Sequence, residues 1–135
     1  GLALATTLFI RDNDMPMPAA LITMSAWTNL NYRRRAPAYA GNNPADDPYI
    51  SPVYGEYSGF PPLLMQAGGD EMLLNDTIKV AQKAKESGVT VKQTTYPGMF
   101  HVFQMLFPEL PEANKAWDEV EAFIKEIYAD NQDIK

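Results

Sequence analysis

The chain is 135 residues long, enough for one modest domain with its own core. Its 46% hydrophobic and 21% charged residues describe an ordinary soluble globular protein, and a formal net charge of −6 argues against a nucleic-acid surface, because backbone phosphate is bound largely by cationic neutralisation. Cysteine is absent, which excludes disulfides, thiolate metal sites and cysteine nucleophiles and fits a reducing, cytoplasmic compartment.

The opening GLALATTLFI is apolar, but no run approaches the ~20 residues that span a bilayer. Without a basic leader or an initiating Met, and with RDND next in the chain, it reads as a buried helix that starts abruptly, as in a piece of a longer chain. PAALITMS (18–25) is a near-continuous apolar run, expected of a strand buried on both faces. Residues 31–52 are rich in Pro, Asn, Asp, Gly and Tyr and read as loop with short helical turns at most. The Arg33-Arg34-Arg35 cluster within them reads as a solvated loop, and the Pro-flanked Asp46-Asp47 pair as a turn without a third metal ligand.

PPLLMQAG (61–68) is a second buried-strand candidate ending in a Gly-Gly turn. A helix comes next, with Asn75 or Asp76 as cap, a stripe through Ile78, Ala81 and Ala84/Lys85, and Gly88 as its left-handed stop. VTVKQTTYPG then alternates as a strand near a sheet edge. Pro111 opens a last helix with Ala113, Ala116, Trp117, Val120, Ile124 and Ile127 at helical spacing.

Strand, loop, strand, helix, strand, helix is an α/β pattern with a mostly parallel sheet flanked by helices. In such sheets chemistry gathers at the carboxyl ends of the strands. Two polar groups fall there: Asp70, after LLMQAGG, and His101, the only histidine, after VKQTTYPGMF. One helix separates their strands, so neighbouring strands and a meeting of the two side chains are expected.

Taken in order, SAWTNL (25–30), DPYISPVYGEYSGFPPLLMQAGGDEMLLNDT (47–77) and YPGMFHVFQM (96–105) resemble the C-terminal part of an α/β-hydrolase of the hormone-sensitive-lipase-like esterase family. GLALA at the start resembles the segment after that family's nucleophile turn, so the similarity covers nearly all of the chain as one part-domain. The resemblance implies a carboxylic ester hydrolase of short to medium acyl esters, with Asp70 as the acid and His101 as the base of a Ser–His–Asp triad. Glu71 competes for the acid role, and Asp70 is preferred because adjacent side chains on a short turn diverge. Asp76 stands where the family often has a carboxylate, and helix capping accounts for it equally.

Two departures from the family pattern stand out. The nucleophile serine is expected just upstream of Gly1, so the N-terminal half of the hydrolase domain is an implied partner and the 135 residues alone are expected to be inert. The stretch between SAWTNLN and AYAGNNPADDP is shorter than the family's usual cap-contributing insertion by roughly two dozen residues, so either the cap is reduced or a segment is missing from the sequence. Ser25, Ser51, Ser58 and Ser87 do not replace the nucleophile, since none sits in a Gly-x-Ser-x-Gly elbow. Trp27 and Tyr32 are candidates to line a pocket or cover the sheet. Phe100, Phe103, Met105 and Phe107, which flank His101, are read as a mixture of core and acyl-pocket lining.

No metal or organic cofactor is expected, nor a nucleic-acid or membrane partner. The family's dimers suggest a homodimer through the edge strand of VTVKQTTY. The alternatives are a non-catalytic small-ligand-binding module built on the same fold, and an inactive fragment.

Overall fold

The computed structural model describes residues 1–32 and 39–132. The Arg33–Arg35 cluster therefore lies outside the described residues. In chain order the elements are α1 (Leu2–Asp12), β1 (Leu21–Met24), β2 (Leu63–Gly68), α2 (Leu74–Glu86), β3 (Val91–Tyr96), a one-turn α3 (Phe103–Leu106) and α4 (Pro111–Gln132). Two short 3-10 turns, Leu30–Tyr32 and Pro52–Tyr54, fall in the long connection between β1 and β2.

The described strands form one parallel sheet in the order β1-β2-β3, with Leu21 opposite Leu63 and Leu63 opposite Val91. β2 is central and every one of its residues is buried. Its pleat sends Leu63 and Met65 into a core with Leu4 and Leu8 of α1 and Val80, Ala81 and Ala84 of α2. The alternate residues meet α4: Leu64 packs with Val120 and Phe123, and Gln66 hydrogen-bonds to the helix backbone at Ala116. Helices thus cover both faces, as a parallel sheet requires.

Three local expectations are corrected. The first strand is four residues long, Leu21–Met24, and mostly half-buried. On α2 the buried stripe is Thr77, Val80, Ala81 and Ala84, while Ile78 is exposed. The helix begins after Leu73 with no side-chain cap, so neither Asn75 nor Asp76 caps it. At its other end Gly88 takes φ +82°, the left-handed stop that a glycine supplies most easily.

Candidate active site

The parallel register brings all three strands to the same end, so the segments leaving β1, β2 and β3 lie side by side. The backbone stitches them together. Ser25 N–H donates to the Gln66 carbonyl (2.8 Å), Gly69 N–H to Tyr96 (2.7 Å) and Asp70 N–H to Met99 (3.0 Å). Gly68 has no room for a side chain, since a Cβ there would come within 2.2 Å of the Met99 carbonyl oxygen. That glycine is what lets the loop carrying His101 close over the end of β2.

This stitching decides which carboxylate His101 meets. With its N–H bound to the His101 loop, Asp70 turns its side chain to solvent, and among the described residues it makes no hydrogen bond or ion pair. The next side chain points the other way. Glu71 is fully buried, and its Oε1 lies 3.6 Å from His101 Nδ1. The structure therefore brings His101 together with Glu71 and not with Asp70. Adjacent side chains do diverge on this turn, but it is the second of the pair that faces the imidazole.

The two oxygens of Glu71 are treated differently. Oε2 accepts the Ser25 hydroxyl (2.5 Å) and the Gly68 N–H (2.9 Å). Oε1 is buried with no hydrogen bond, facing the imidazole. A carboxylate can accept from several donors, and a buried acceptor left open asks for an explanation. At 3.6 Å the contact is longer than a hydrogen bond. His101 itself is half exposed (54% of its side chain).

Two residues at this end hold left-handed backbone without being glycine: Ser25 (φ +52°) and Val102 (φ +47°). For a β-branched valine this conformation is a genuine outlier. The Ser25 hydroxyl also accepts the Val102 N–H (3.0 Å), so the two strained residues are bonded to each other. Sequence reasoning weighs Ser25 only as a nucleophile and misses its role as a tie. The available signal is a small polar residue at the carboxyl end of an apolar strand.

The surroundings sort the remaining candidates. Asp76 Oδ2 accepts the backbone N–H groups of Thr28 and Asn29, both at 2.9 Å, and so pins the loop after β1. Asp47 Oδ1 accepts the Tyr49 N–H, the local turn expected of the Asp pair. Among the described residues no group of three or more His, Cys, Asp or Glu could hold a metal ion. Phe103 is fully buried against Tyr96, whereas Phe100 and Phe107 form an exposed edge-to-face pair beside His101 and Met105 is largely exposed. Trp27 lines an open, mainly apolar pocket of about 200 Å³ with Gly1, Leu2, Ala5, Leu30, Tyr39 and Ile50.

A family model for the α/β-hydrolase fold matches residues 34–105. The chain belongs to the α/β-hydrolase fold family. An acetyl-hydrolase of Streptomyces hygroscopicus is 32% identical, the match covering 93% of this chain and 48% of that protein. The crystal structure of an esterase/lipase from an uncultured bacterium superposes with a TM-score of 0.87 at 33% identity, over 94% of this chain and 49% of the other. EstE7, a hormone-sensitive-lipase homologue from a metagenome library, gives 0.85 at 29% identity, over 93% and 50%. Within the family the chain thus stands with the hormone-sensitive-lipase-like esterases. It spans about half the length of the curated relatives it matches. No helix among the described residues is long and apolar enough to cross a membrane.

Proposed function

We propose that the protein containing this chain is a carboxylic ester hydrolase in which His101 is the general base and Glu71, rather than Asp70, is the acid. The observation that carries this reading is the buried Glu71 oxygen that faces His101 Nδ1 and has no hydrogen bond of its own. Glu71 would accept the Nδ1–H, fix the tautomer and stabilise the imidazolium as it forms. Nε2 would then take the proton of a serine hydroxyl as that oxygen attacks the ester carbonyl, and return it to the leaving alcohol. Water, activated by the same nitrogen, would cleave the acyl-enzyme and restore the serine.

The serine is assigned to the segment preceding Gly1. The position of α1 supports this: Gly1 lies so close to the Trp27 carbonyl that a Cβ would approach it to 2.1 Å. The helix therefore starts beside the carboxyl end of β1, where Ser25 and Glu71 meet. The oxyanion donors belong to the same preceding half, so the 135 residues alone are expected to be inert. This chemistry calls for no metal or organic cofactor.

Short to medium acyl esters are the substrates of this reading, supported by the mainly apolar pocket lined by Trp27, Leu2, Ala5 and Ile50 and by the exposed Phe100–Phe107 pair. One related crystal, EstE5, was soaked with p-nitrophenyl butyrate, which makes that ester a natural probe. A reduced cap in residues 31–52, a cytoplasmic location and a homodimer through the outer edge of β3 belong to the same reading. The dimer is checked by solution sizing of the full-length protein, and a monomer would remove it.

The test is hydrolysis of p-nitrophenyl butyrate by the full-length protein and its His101→Ala variant. Turnover that falls by roughly 10³-fold or more supports the assignment. A variant that keeps its turnover refutes it.

A further inference from the structure

We propose that Ser25 is the positioning residue that holds the acid–base pair in register; the inference rests on the esterase reading above and deepens it. One hydroxyl joins the ends of all three strands: it belongs to the residue after β1, donates to Glu71 beyond β2, and accepts from Val102 beyond β3. Val102 is the residue directly after His101, so the bond reaches the base through its own backbone.

A serine hydroxyl has one proton to give. At Ser25 that proton goes to Glu71 Oε2, which the Gly68 N–H also occupies. Both donors on one oxygen leave Oε1 alone to face the imidazole, and they stop the carboxylate from rotating to offer the other oxygen. Ser25 is 3% exposed, so water does not compete for these bonds. Its left-handed backbone would suit glycine better, and a non-glycine residue kept in a strained conformation at a site points to a need for its side chain. Val102, at φ +47°, shares that strain and is held by the same oxygen.

This geometry separates stability from turnover in a way that a packing role would not. Ser25→Gly removes the hydroxyl but relaxes the backbone. Ser25→Thr keeps the hydroxyl but adds a β-branch in a left-handed conformation, which is costly.

The experiment measures kcat and KM for p-nitrophenyl butyrate, the melting temperature, and the downfield imidazole N–H proton signal in the full-length protein and these variants. The signal is assigned to His101 by its disappearance in His101→Ala. Ser25→Gly is expected to lower kcat about 10- to 100-fold, the cost of a misplaced catalytic group, with KM within about twofold. Its melting temperature should stay within about 5 °C of the parent while the downfield signal broadens or vanishes. Ser25→Thr should melt lower and yet keep more turnover than Ser25→Gly. Wild-type kcat in Ser25→Gly, with His101→Ala inactive, would overturn the role of Ser25 and leave the esterase reading standing. Loss of turnover that tracks melting temperature across both variants would also overturn it. An active His101→Ala would overturn both.

Discussion

Two glutamates reach into this small sheet, and they are held in opposite ways. Glu119, on α4, lies over β2 and β3 with 13% of its side chain exposed. Its Oε2 accepts from Gln66 Nε2 (2.7 Å) and Tyr96 OH (3.0 Å), and its Oε1 from Thr94 OH (2.6 Å), with Lys92 Nζ at 3.8 Å. Both oxygens are committed to fixed partners. Glu71, at the strand ends, is more deeply buried, yet one of its oxygens has no hydrogen bond and faces a half-exposed imidazole. A saturated buried carboxylate joins a helix to a sheet. The other keeps one oxygen without a hydrogen bond, 3.6 Å from the His101 imidazole.

This contrast can be broken or sharpened by substitution in the full-length protein. Glu119→Ala should have the largest effect on stability, about 2–4 kcal/mol, because it strands the buried Gln66 and Tyr96 donors and the partly buried Thr94 hydroxyl at once. Chemical denaturation reads this, and kcat at a temperature where the variant is folded should stay within about threefold of wild type, since the hydrogen bonds and ion pair of Glu119 go to Gln66, Thr94, Tyr96 and Lys92 rather than to the His101 loop. A large loss of kcat without loss of stability would abolish the distinction between the two glutamates.

Gln66→Leu should cost less, roughly 1–3 kcal/mol in the same denaturation assay. The fully buried amide links Ala116 and Glu119 of α4 to Gln104 of α3, and leucine fills similar space without those bonds. Asp76→Asn should cost about 1 kcal/mol, because its amide oxygen still accepts from Thr28 and Asn29 but without charge assistance. A stability unchanged by that substitution would show that the loop after β1 does not depend on Asp76.

The smallest effect is on alkaline stability. Burial, then the hydrogen bond to Glu119, push the Tyr96 phenol above its ordinary value of 10.0. A raised acid favours its protonated form in the folded state, so this contribution is complete below pH 10. It is lost as pH rises further, because the unfolded chain then binds fewer protons than the folded one. Tyr96→Phe should make the fall in melting temperature above pH 10 shallower, and an unchanged slope would count against this.

The parallel α/β frame, the place of both strands, the full burial of β2, the Gly88 stop and the helix opening at Pro111 were legible from periodicity and turn chemistry. So was the more useful fact that the ends of β2 and β3 would meet. Three features were not, each for a physical reason. The half-burial of β1 depends on which strands flank it, which an apolar run does not state. The part played by Asp76 depends on two N–H groups 47 and 48 residues away, and local pattern favoured a cap. The choice between Asp70 and Glu71 depends on the Asp70 N–H bonding Met99, a contact between two loops that fixes which adjacent side chain turns inward. The part of Ser25 was hidden for the same reason, since both its partners come from other strands.

The most direct test compares Glu71→Gln with Asp70→Asn in the full-length protein by steady-state hydrolysis of p-nitrophenyl butyrate. The account predicts that kcat falls by about 10³-fold or more in Glu71→Gln, as when a triad's acid loses its charge, and stays within about threefold of wild type in Asp70→Asn. The reverse pattern, with Asp70→Asn inactive and Glu71→Gln active, would contradict it and return the acid to Asp70.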